Sequence, residues 1–277
     1  MRLLVTGGAG FLGSHMIRRW LTRRPTDEVV NLDLLTYAGS PERLREVARS
    51  TRYHFVRGDI ANPAVVHRAI GGCQLVVHFA AASHVDRSIT DATTFLRTNV
   101  EGTFRLLEAA KAHRVERFIH VSTDEVYGPV LEGAVDESAP LLPKSPYAAS
   151  KAAGDLLVQA CRATHGLETI IVRPTNIFGP SQLPEKFIPL TITNALDGLP
   201  IPIYGDGTQR RSWLFVEGFC DAMEVILERG RVGEIYNIGS GYEQANLTTA
   251  RQILSLWSLP SSCGRLVCSL FSRPNEN

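Results

Sequence analysis

The sequence predicts an α/β fold in which a doubly wound parallel sheet carries a smaller C-terminal lobe. Short apolar runs alternate with longer amphipathic stretches through the first two-thirds of the 277 residues, which is typical of repeated βα units. A glycine-rich turn follows the first apolar run and indicates a tight strand-to-helix connection. After Arg173 the pattern changes, because frequent prolines favour short elements and loops over another βαβ unit.

Six strands are predicted from β-branched or aliphatic runs that end at turn residues. They are Leu3–Thr6, Val29–Leu32, Tyr53–Val56, Leu75–Phe79, Arg117–Val121 and Thr169–Val172. The longest helices are predicted over Thr94–His113 and Ser145–His165, where apolar residues recur every three to four positions. We therefore expect a sheet domain over 1–173 and a lobe over 174–277, interleaved so that some segments of the lobe return to the sheet.

The overall composition excludes several classes of function. Hydrophobic residues make up 44% and charged residues 21%, and the formal net charge is +1, so no nucleic-acid or membrane partner is expected. Five cysteines form no CxxC pair, and their odd number without a signal peptide favours reduced thiols in a cytoplasmic protein. No metal site is predicted. The pairs Arg18-Arg19 and Arg23-Arg24 are interpreted as solvated helix ends.

A dinucleotide site is predicted at the glycine-rich turn. Gly7, Gly10 and Gly13 stand in GGAGFLG between the first strand and a helix, where the backbone can approach a pyrophosphate and the helix N-terminus offers N–H groups. Asp33 ends the second strand, where a carboxylate can accept hydrogen bonds from ribose hydroxyls and repel a 2′-phosphate. The pattern therefore favours a Rossmann-type sheet that binds NAD. The alternative role for Asp33 is that of a turn residue or cap.

A tyrosine and a lysine share one face of the second long helix. Tyr147 and Lys151 form Y-x-x-x-K, and the four-residue spacing stacks their side chains. Because a nearby ammonium stabilises a phenolate, this spacing predicts a tyrosine with a lowered pKa that acts as a general base. Alone, the pair fits an ordinary amphipathic helix better. Beside the predicted cofactor loop, the catalytic interpretation is favoured.

Eight motifs occur in the order GGAGFLGSH, NLDLLTYAGSPE, HFAAASHVDRSI, TNVEGT, FIHVSTDEVYG, SPYAASKAAGD, RPTNIFGP and PIYGDGTQRRSW. In this order they resemble the extended short-chain dehydrogenase/reductases, and most closely the dTDP-glucose 4,6-dehydratases. The similarity covers Met1 to Leu247. It implies an NAD-dependent lyase that converts a nucleotide-activated glucose into a 4-keto-6-deoxy sugar. The favoured substrate is dTDP-glucose.

The resemblance also implies a catalytic role for each of five residues. Tyr147, assisted by Lys151 and Thr123, would remove the proton of the sugar C4 hydroxyl, with NAD as the hydride carrier. Glu125 would take the C5 proton, and Asp124 would protonate the departing C6 hydroxyl. Related epimerases commonly carry a serine-rich segment at this place, and decarboxylases a glutamate without the preceding aspartate. The alternative is that Asp124 and Glu125 only cap a turn after the fifth strand.

Binding residues are implied around both the cofactor and the sugar nucleotide. The cofactor-binding residues would be Gly7, Gly10, Phe11, Leu12, Gly13, Asp33, Leu34, Leu35, Thr36, Asp59, Ile60, Phe79, Ala80, Ala81, Ser83, Thr98, Tyr147, Lys151 and Asn176. The substrate-binding residues would be Ser83, Thr123, Asn176, Lys186, Phe187, Tyr204, Arg211 and Asn246. The planar guanidinium of Arg211 suits a diphosphate, although a structural ion pair of Arg211, with Arg210 as the phosphate ligand, is an open alternative.

The chain departs from this family in three places. Ala82 stands where a glutamate is usual, and Ser212 stands where an aspartate is usual. After Leu247 the sequence lacks the arginine-containing DRPGHDRRY segment of the family and ends SLFSRPNEN. The usual second phosphate anchor is therefore missing, which predicts an atypical and shortened C-terminal end.

The sequence leaves two different functions open. One is another nucleotide-sugar enzyme, such as a 4-epimerase or a UDP-glucuronate decarboxylase, which shares the first oxidation. The second is an inactive NAD-binding homologue whose altered tail prevents productive sugar binding. The resemblance further implies a homodimer formed through the two long helices, since helices of that length can bury an interface of standard size.

Overall fold

The computed structural model describes residues 1–130, 133–256 and 266–269. The chain divides into two compact units, the first comprising Met1–Thr175 and Glu217–Ile238. The second comprises Asn176–Val216 and the chain from Gly239 onwards. The predicted departure of the C-terminal tail lies outside the described residues, except for one short strand at 266–269.

The strands of the described residues are β1 (Arg2–Thr6), β2 (Glu28–Asp33), β3 (Tyr53–Arg57), β4 (Leu75–His78), β5 (Arg117–Val121), β6 (Thr169–Pro174), β7 (Asn176–Phe178), β8 (Ile201–Tyr204), β9 (Arg210–Phe215), β10 (Ile235–Ile238), β11 (Glu243–Ala245) and β12 (Leu266–Ser269). The α-helices are α1 (Phe11–Arg23), α2 (Pro63–Ile70), α3 (Val85–Thr90), α4 (Ala92–Phe95), α5 (Thr103–Ala112), α6 (Pro146–His165), α7 (Phe187–Leu196), α8 (Val216–Arg229) and α9 (Asn246–Ser255).

The first unit is built on a seven-stranded sheet in the order β3-β2-β1-β4-β5-β6-β10. Every neighbouring pair is parallel. Strands β4 and β6 are buried along their whole length, as expected of strands that helices cover on both faces. The predicted α/β fold with a Rossmann-type parallel sheet is confirmed. Strand β10, which the sequence analysis did not predict individually, returns from later in the chain to the edge of this sheet.

The sheet changes its direction of progression beside β1. Strand β1 pairs with β2 on one side and with β4 on the other, so the connections after β1 and after β4 leave the sheet on either side of one crevice. In an open α/β sheet the carboxyl ends of the strands at such a point form the usual ligand site. The glycine-rich turn lies at this point.

The first long helix is less regular than the sequence predicts. Over Thr94–His113 the chain passes from α4 through a π-helical segment, Leu96–Gly102, into α5. The wider turns place the buried side chain of Asn99 against the chain after β4, where it accepts a hydrogen bond from Ala82 N at 2.9 Å. Asn99 also donates to the Ala82 carbonyl at 3.0 Å and to the Ser150 hydroxyl at 2.9 Å. Apolar spacing alone cannot reveal this irregularity.

The interpretation of the paired arginines as solvated helix ends holds for Arg23, which is exposed in the last turn of α1, but it is wrong for Arg19. Arg19 is only 11% exposed and binds Glu217, Asp221 and Glu224 of α8. Arg23 also pairs with Glu224. The chain returns to the first unit at Glu217, and this acidic helix face then lies against the basic face of α1.

The second unit contains short elements, as the proline-rich sequence predicts. Strands β7, β9 and β11 form a mixed sheet, in which β9 is parallel to β7 and antiparallel to β11. Strand β8 pairs with β12 in parallel. A small core of Ala195, Ile201, Ile203 and Ala250 joins α7, β8 and α9. No helix in the described part of the chain is both long and apolar enough to cross a membrane.

Candidate functional site

The glycine-rich turn leaves no room for side chains. Gly7 has a φ of +69°, and an added Cβ would lie 2.6 Å from Ala80 N. A Cβ on Gly13 would lie 2.5 Å from the Gly7 carbonyl oxygen. Gly10 is the N-cap of α1 and offers no side-chain cap, and the first turn of α1 contains no acidic residue. The first N–H groups of α1 have no acceptor within the helix, so they can bind an anion such as a pyrophosphate.

Asp33 lies at the end of β2, directly beside this turn. Its carboxylate accepts hydrogen bonds from Ala9 N at 2.9 Å and from Leu35 N at 2.8 Å. Burial raises the pKa of Asp33, while the two N–H donors and the charge of Arg43 oppose that rise. Asp33 therefore also forms a hydrogen bond within the turn after β2, as the alternative interpretation predicts. A carboxylate oxygen has two lone pairs, so these two bonds leave acceptor capacity for the hydroxyls of a ribose.

The rest of the predicted cofactor residues follow the ends of strands in the first unit, apart from Asn176. Asp59, after β3, accepts from Ala61 N at 2.8 Å and pairs with Arg97 at 2.9 Å. Phe79 packs edge-on against Phe219 of α8. The remaining members flank these points; they are Phe11, Leu12, Leu34, Leu35, Thr36, Ile60, Ala80, Ala81, Ser83 and Thr98. Apart from Thr98 in the π-helical segment and the Tyr147–Lys151 pair of α6, the predicted cofactor residues of the first unit therefore lie at or after the carboxyl ends of β1 to β4.

The acidic pair forms a turn immediately after β5. Thr123 is the N-cap of a 3₁₀ turn, Asp124–Tyr127, and its hydroxyl oxygen accepts from Glu125 N at 3.3 Å. The Thr123 hydroxyl also lies 3.2 Å from an Asp124 oxygen. Glu125 is exposed, whereas Asp124 is half-buried. Capping geometry and accessible carboxylates therefore coexist here, so the capping interpretation and the catalytic one are compatible.

Tyr147 and Lys151 face this acidic turn from α6. The hydroxyl of Tyr147 hydrogen-bonds Thr123, which brings the predicted base beside Asp124 and Glu125. Lys151 is 3% exposed and its Nζ donates to the Val121 carbonyl at 2.7 Å. Burial lowers the pKa of Lys151 to about 8.

The prediction that the pKa of Tyr147 is lowered is wrong. Burial raises the pKa of Tyr147 above its ordinary value, and the negative charges of Glu125 and Asp124 raise it further. The hydrogen bond with Thr123 acts in the opposite direction but does not prevail. The spacing Y-x-x-x-K places the ammonium correctly, but it does not report how much solvent the fold removes from the phenol.

A buried ion pair behind this site was missed in the sequence. Asp155 follows Lys151 by one helical turn, is fully buried and accepts from Arg173 Nε at 2.9 Å. His120 is also fully buried, with its Nε2 3.4 Å from Asp155 Oδ1. Arg173 Nη1 donates to the Tyr127 hydroxyl at 2.8 Å. No local spacing predicts this pair, because Asp155 of α6 and Arg173 of β6 are 18 residues apart.

The predicted sugar-nucleotide residues lie in the second unit, apart from Ser83 and Thr123. Asn176 begins β7, Lys186 is the N-cap of α7 and Tyr204 ends β8. Phe187 stacks on Trp213 with ring centroids 6.0 Å apart. Asn246 begins α9, and its Oδ1 is buried without a hydrogen-bond partner among the described residues. A buried carbonyl oxygen of this kind is suited to receive a ligand donor.

The two arginines of β9 differ in their partners. Arg210 donates to Glu243 from Nε at 3.0 Å, so its charge is already paired. Arg211 donates to the Arg210 carbonyl at 3.1 Å and forms no ion pair with any residue that the structure describes. Arg211 therefore has the more available charge for a diphosphate.

The fold and these groups define a class of protein: an α/β dinucleotide-binding chain with a Tyr–Lys pair beside two carboxylates. The chain matches the NAD-dependent epimerase/dehydratase family over residues 3–239. It belongs to this family. A dTDP-glucose 4,6-dehydratase of Streptomyces niveus is 51% identical over 270 residues, which cover 95% of this chain and 78% of the relative. The resemblance inferred from the ordered motifs is thus confirmed.

Solved structures give the same result for the fold. The dTDP-glucose 4,6-dehydratase DesIV of Streptomyces venezuelae, crystallised with NAD, is 48% identical with a TM-score of 0.93 and covers 97% of this chain and 85% of its own. A UDP-glucuronic acid 4-epimerase of Bacillus cereus, crystallised with UDP-glucuronic acid and NAD, is 29% identical with a TM-score of 0.90. It covers 97% of this chain and 87% of its own. The backbone alone therefore does not separate dehydration from epimerisation, and side chains must do so.

Proposed function

We propose that this chain is an NAD-dependent hydro-lyase that converts dTDP-glucose into the dTDP-4-keto-6-deoxy sugar. The observation that carries the proposal is the meeting of Thr123, Asp124 and Glu125 with Tyr147 at the end of β5. Removing water from C5 and C6 needs one group to take a proton and another to give one, so a pair of carboxylates suits elimination. Relatives that are about 50% identical to this chain over the aligned residues are named dTDP-glucose 4,6-dehydratase.

The cofactor's contribution is hydride chemistry: NAD, when bound, accepts a hydride from the sugar and returns it within the same turnover. The residues for holding it fit, because the glycine turn is a cradle that side chains would fill and the N-terminus of α1 is uncapped. Asp33 would accept the adenosine ribose hydroxyls and would repel the extra phosphate of NADP.

The first task of this chain is to remove a proton from the C4 hydroxyl. Tyr147 is the base, and Thr123 orients its hydroxyl through their hydrogen bond. Lys151 supplies a buried positive charge one helical turn away. Because burial opposes the phenolate of Tyr147, the positive charge around it must increase before proton transfer. Binding of the positively charged oxidised cofactor is the physical source of that increase.

The second task is elimination. Glu125 is exposed and can reach a sugar proton, so we assign it the removal of the C5 proton. Asp124 lies half-buried beside the Thr123 hydroxyl, and we assign it the protonation of the C6 oxygen.

Residues of the second unit are proposed to hold the nucleotide and sugar. Arg211 binds the diphosphate, since Arg210 is engaged by Glu243. Asn246 offers a buried amide oxygen, and Asn176, Lys186, Phe187 and Tyr204 are the other proposed ligands of this unit. Ala82, in place of the usual glutamate, is proposed to change the environment of the nicotinamide, and Ser212, in place of the usual aspartate, is proposed to remove an internal ion pair.

A 4-epimerase is the second candidate, because the same C4 oxidation begins both reactions and an epimerase has nearly the same backbone. The sequence also leaves open a UDP-glucuronate decarboxylase and an inactive NAD-binding homologue. Incubation with dTDP-glucose, UDP-glucose and UDP-glucuronate, followed by mass analysis, separates them. The proposal requires loss of one water from dTDP-glucose. An unchanged mass with an inverted C4 would identify an epimerase, and loss of CO₂ from UDP-glucuronate would identify a decarboxylase.

We further propose a homodimer in the cytoplasm. Leu96, Phe104 and Leu156 lie on the predicted dimer helices and are each at least 40% exposed, which is an apolar surface that a partner copy would cover. Phe104→Glu should then give a monomer by light scattering at micromolar concentration, while Phe55→Glu, an exposed residue of β3, should not. A wild-type monomer would overturn the proposal.

A further inference from the structure

A short segment crosses the carboxyl end of the sheet beside the glycine turn. It runs from Leu34, which follows β2, to Arg43 in the 3₁₀ turn Pro41–Leu44, and is here called the strap. Gly39 of the strap packs directly against Asp33, because an added Cβ would lie 3.0 Å from Asp33 Oδ1. The strap therefore covers the carboxylate that the proposed function assigns to the cofactor ribose.

One end of the strap is fixed to the glycine turn. Ser40 N donates to the Ala9 carbonyl at 2.9 Å, and Arg43 Nη1 donates to the same carbonyl at 2.9 Å. Arg43 Nη1 also donates to the Ala38 carbonyl at 2.6 Å. Two hydrogen bonds therefore join the C-terminal end of the strap to Ala9, and the one from the Arg43 guanidinium is charge-assisted.

The middle of the strap is held from the opposite side of the crevice. The guanidinium carbon of Arg87, in α3, lies 3.8 Å from the ring centroid of Tyr37. Strand β2 leads into the strap and β4 leads into α3, and β1 lies between these two strands. The Tyr37–Arg87 contact consequently joins the two segments that follow the neighbours of β1 in the sheet.

We propose that the Tyr37–Arg87 cation–π contact is a latch that closes the strap over the NAD site and slows exchange of the cofactor. The inference rests on the proposed function, in which the cofactor returns its hydride and has no need to leave between turnovers. A latch of this kind suits such an enzyme, whereas it would limit the rate of a dehydrogenase that must release reduced cofactor each time.

The proposed latch has a kinetic signature because Tyr37 and Arg87 contact each other rather than the cofactor, so that the latch is closed both before and after the cofactor binds. A contact that is present in both the free and the bound protein stabilises both states equally. Its loss should therefore leave the dissociation constant of the cofactor unchanged. It should instead accelerate binding and release by the same factor. For an exposed cation–π contact this factor is about two- to fivefold. A residue that touched the cofactor itself would change the dissociation constant.

Stopped-flow fluorescence with NADH tests the proposal. Binding is followed after mixing NADH with the cofactor-free full chain, and release is followed after chasing bound NADH with excess NAD. The variants are Arg87→Gln and Tyr37→Leu, each of which removes one partner of the latch. Tyr37→Phe is the matched control that keeps the ring face, and Arg231→Gln is a control for loss of an exposed arginine whose side chain is 81% exposed.

We expect both rates to rise about two- to fivefold in Arg87→Gln and in Tyr37→Leu, with wild-type rates in the two controls. The double variant should be no faster than either single variant, because the two residues act through one contact. Unchanged rates of NADH binding and release would overturn the latch proposal. A larger dissociation constant with an unchanged binding rate would overturn it as well. A wild-type chain that bound no NADH at all would overturn the proposed function as well, so the two failures are distinguishable.

Discussion

Lys151 is a catalytic candidate whose burial opposes the stability of the protein. Burial lowers its pKa from 10.5 to about 8, and a shift of this size corresponds to about 3 kcal/mol of unfavourable free energy for the charged form. Its hydrogen bond to the Val121 carbonyl at 2.7 Å returns about 1 kcal/mol. We therefore expect Lys151→Met, which keeps the shape of the aliphatic chain, to raise the free energy of unfolding by about 2 kcal/mol near pH 7.

The pH dependence of this gain has a definite sign. Below about pH 8 Lys151 is charged in both the folded and the unfolded chain, so the full penalty applies. As the pH rises through about 8 towards 10.5, the folded chain releases its proton before the unfolded chain does, and stability increases. The advantage of Lys151→Met over wild type should thus shrink by about 2 kcal/mol between roughly pH 7 and pH 9.5.

Urea unfolding of the cofactor-free proteins at both pH values and at one protein concentration measures the difference. Bound NAD must be absent, because a ligand that binds the folded state adds its own stabilisation. Lys144→Met is the control, since Lys144 is exposed and its loss should change stability by no more than about 0.5 kcal/mol. If Lys151→Met is less stable than wild type near pH 7, the desolvation argument is wrong, whatever happens to its activity.

Three further variants test different parts of the site. Asp33→Asn should weaken NAD binding and narrow the preference for NAD over NADP, because the charge that repels a 2′-phosphate is lost; unchanged affinities for both, by calorimetry, would remove its role. Asp155→Ala should cost about 3–5 kcal/mol of stability by urea unfolding, since it leaves the guanidinium of Arg173 buried and unpaired; a loss below about 1 kcal/mol would contradict this. Glu125→Gln should accumulate reduced cofactor transiently with dTDP-glucose and should stop deuterium exchange at C5, whereas Tyr147→Phe should give no reduced cofactor. Exchange at the parent rate in Glu125→Gln would show that another group is the C5 base.

The strands and the glycine turn were predictable because each depends on a few consecutive residues. An unbroken apolar run predicts a buried parallel strand. A glycine is favoured where φ is positive and another part of the backbone approaches closely, as at Gly7. The π-helical segment around Asn99 was not predictable in this way. It depends on a hydrogen bond between Asn99 and the backbone of Ala82, seventeen residues away. Apolar spacing carries no information about such a contact.

The site shows the same division between position and environment. The spacing of Tyr147 and Lys151 correctly predicts that they share a helix face, and the triplet after β5 correctly lies within reach of Tyr147. The direction of the Tyr147 pKa could not be predicted, because it depends on how much water the fold excludes and on how near two carboxylates lie. Both are properties of the packed chain.

Burial shifts the pKa values of Tyr147 and Lys151 in opposite directions, and both shifts can serve catalysis. Exclusion of water raises the pKa of Tyr147 and lowers that of Lys151, so each group is held further from its charged form than it is in water. A small change in local charge then has a large effect on proton position, because electrostatic interactions are stronger where water is excluded. In the proposed function the positively charged oxidised cofactor supplies such a change on binding, so the pKa of Tyr147 should fall when NAD is bound.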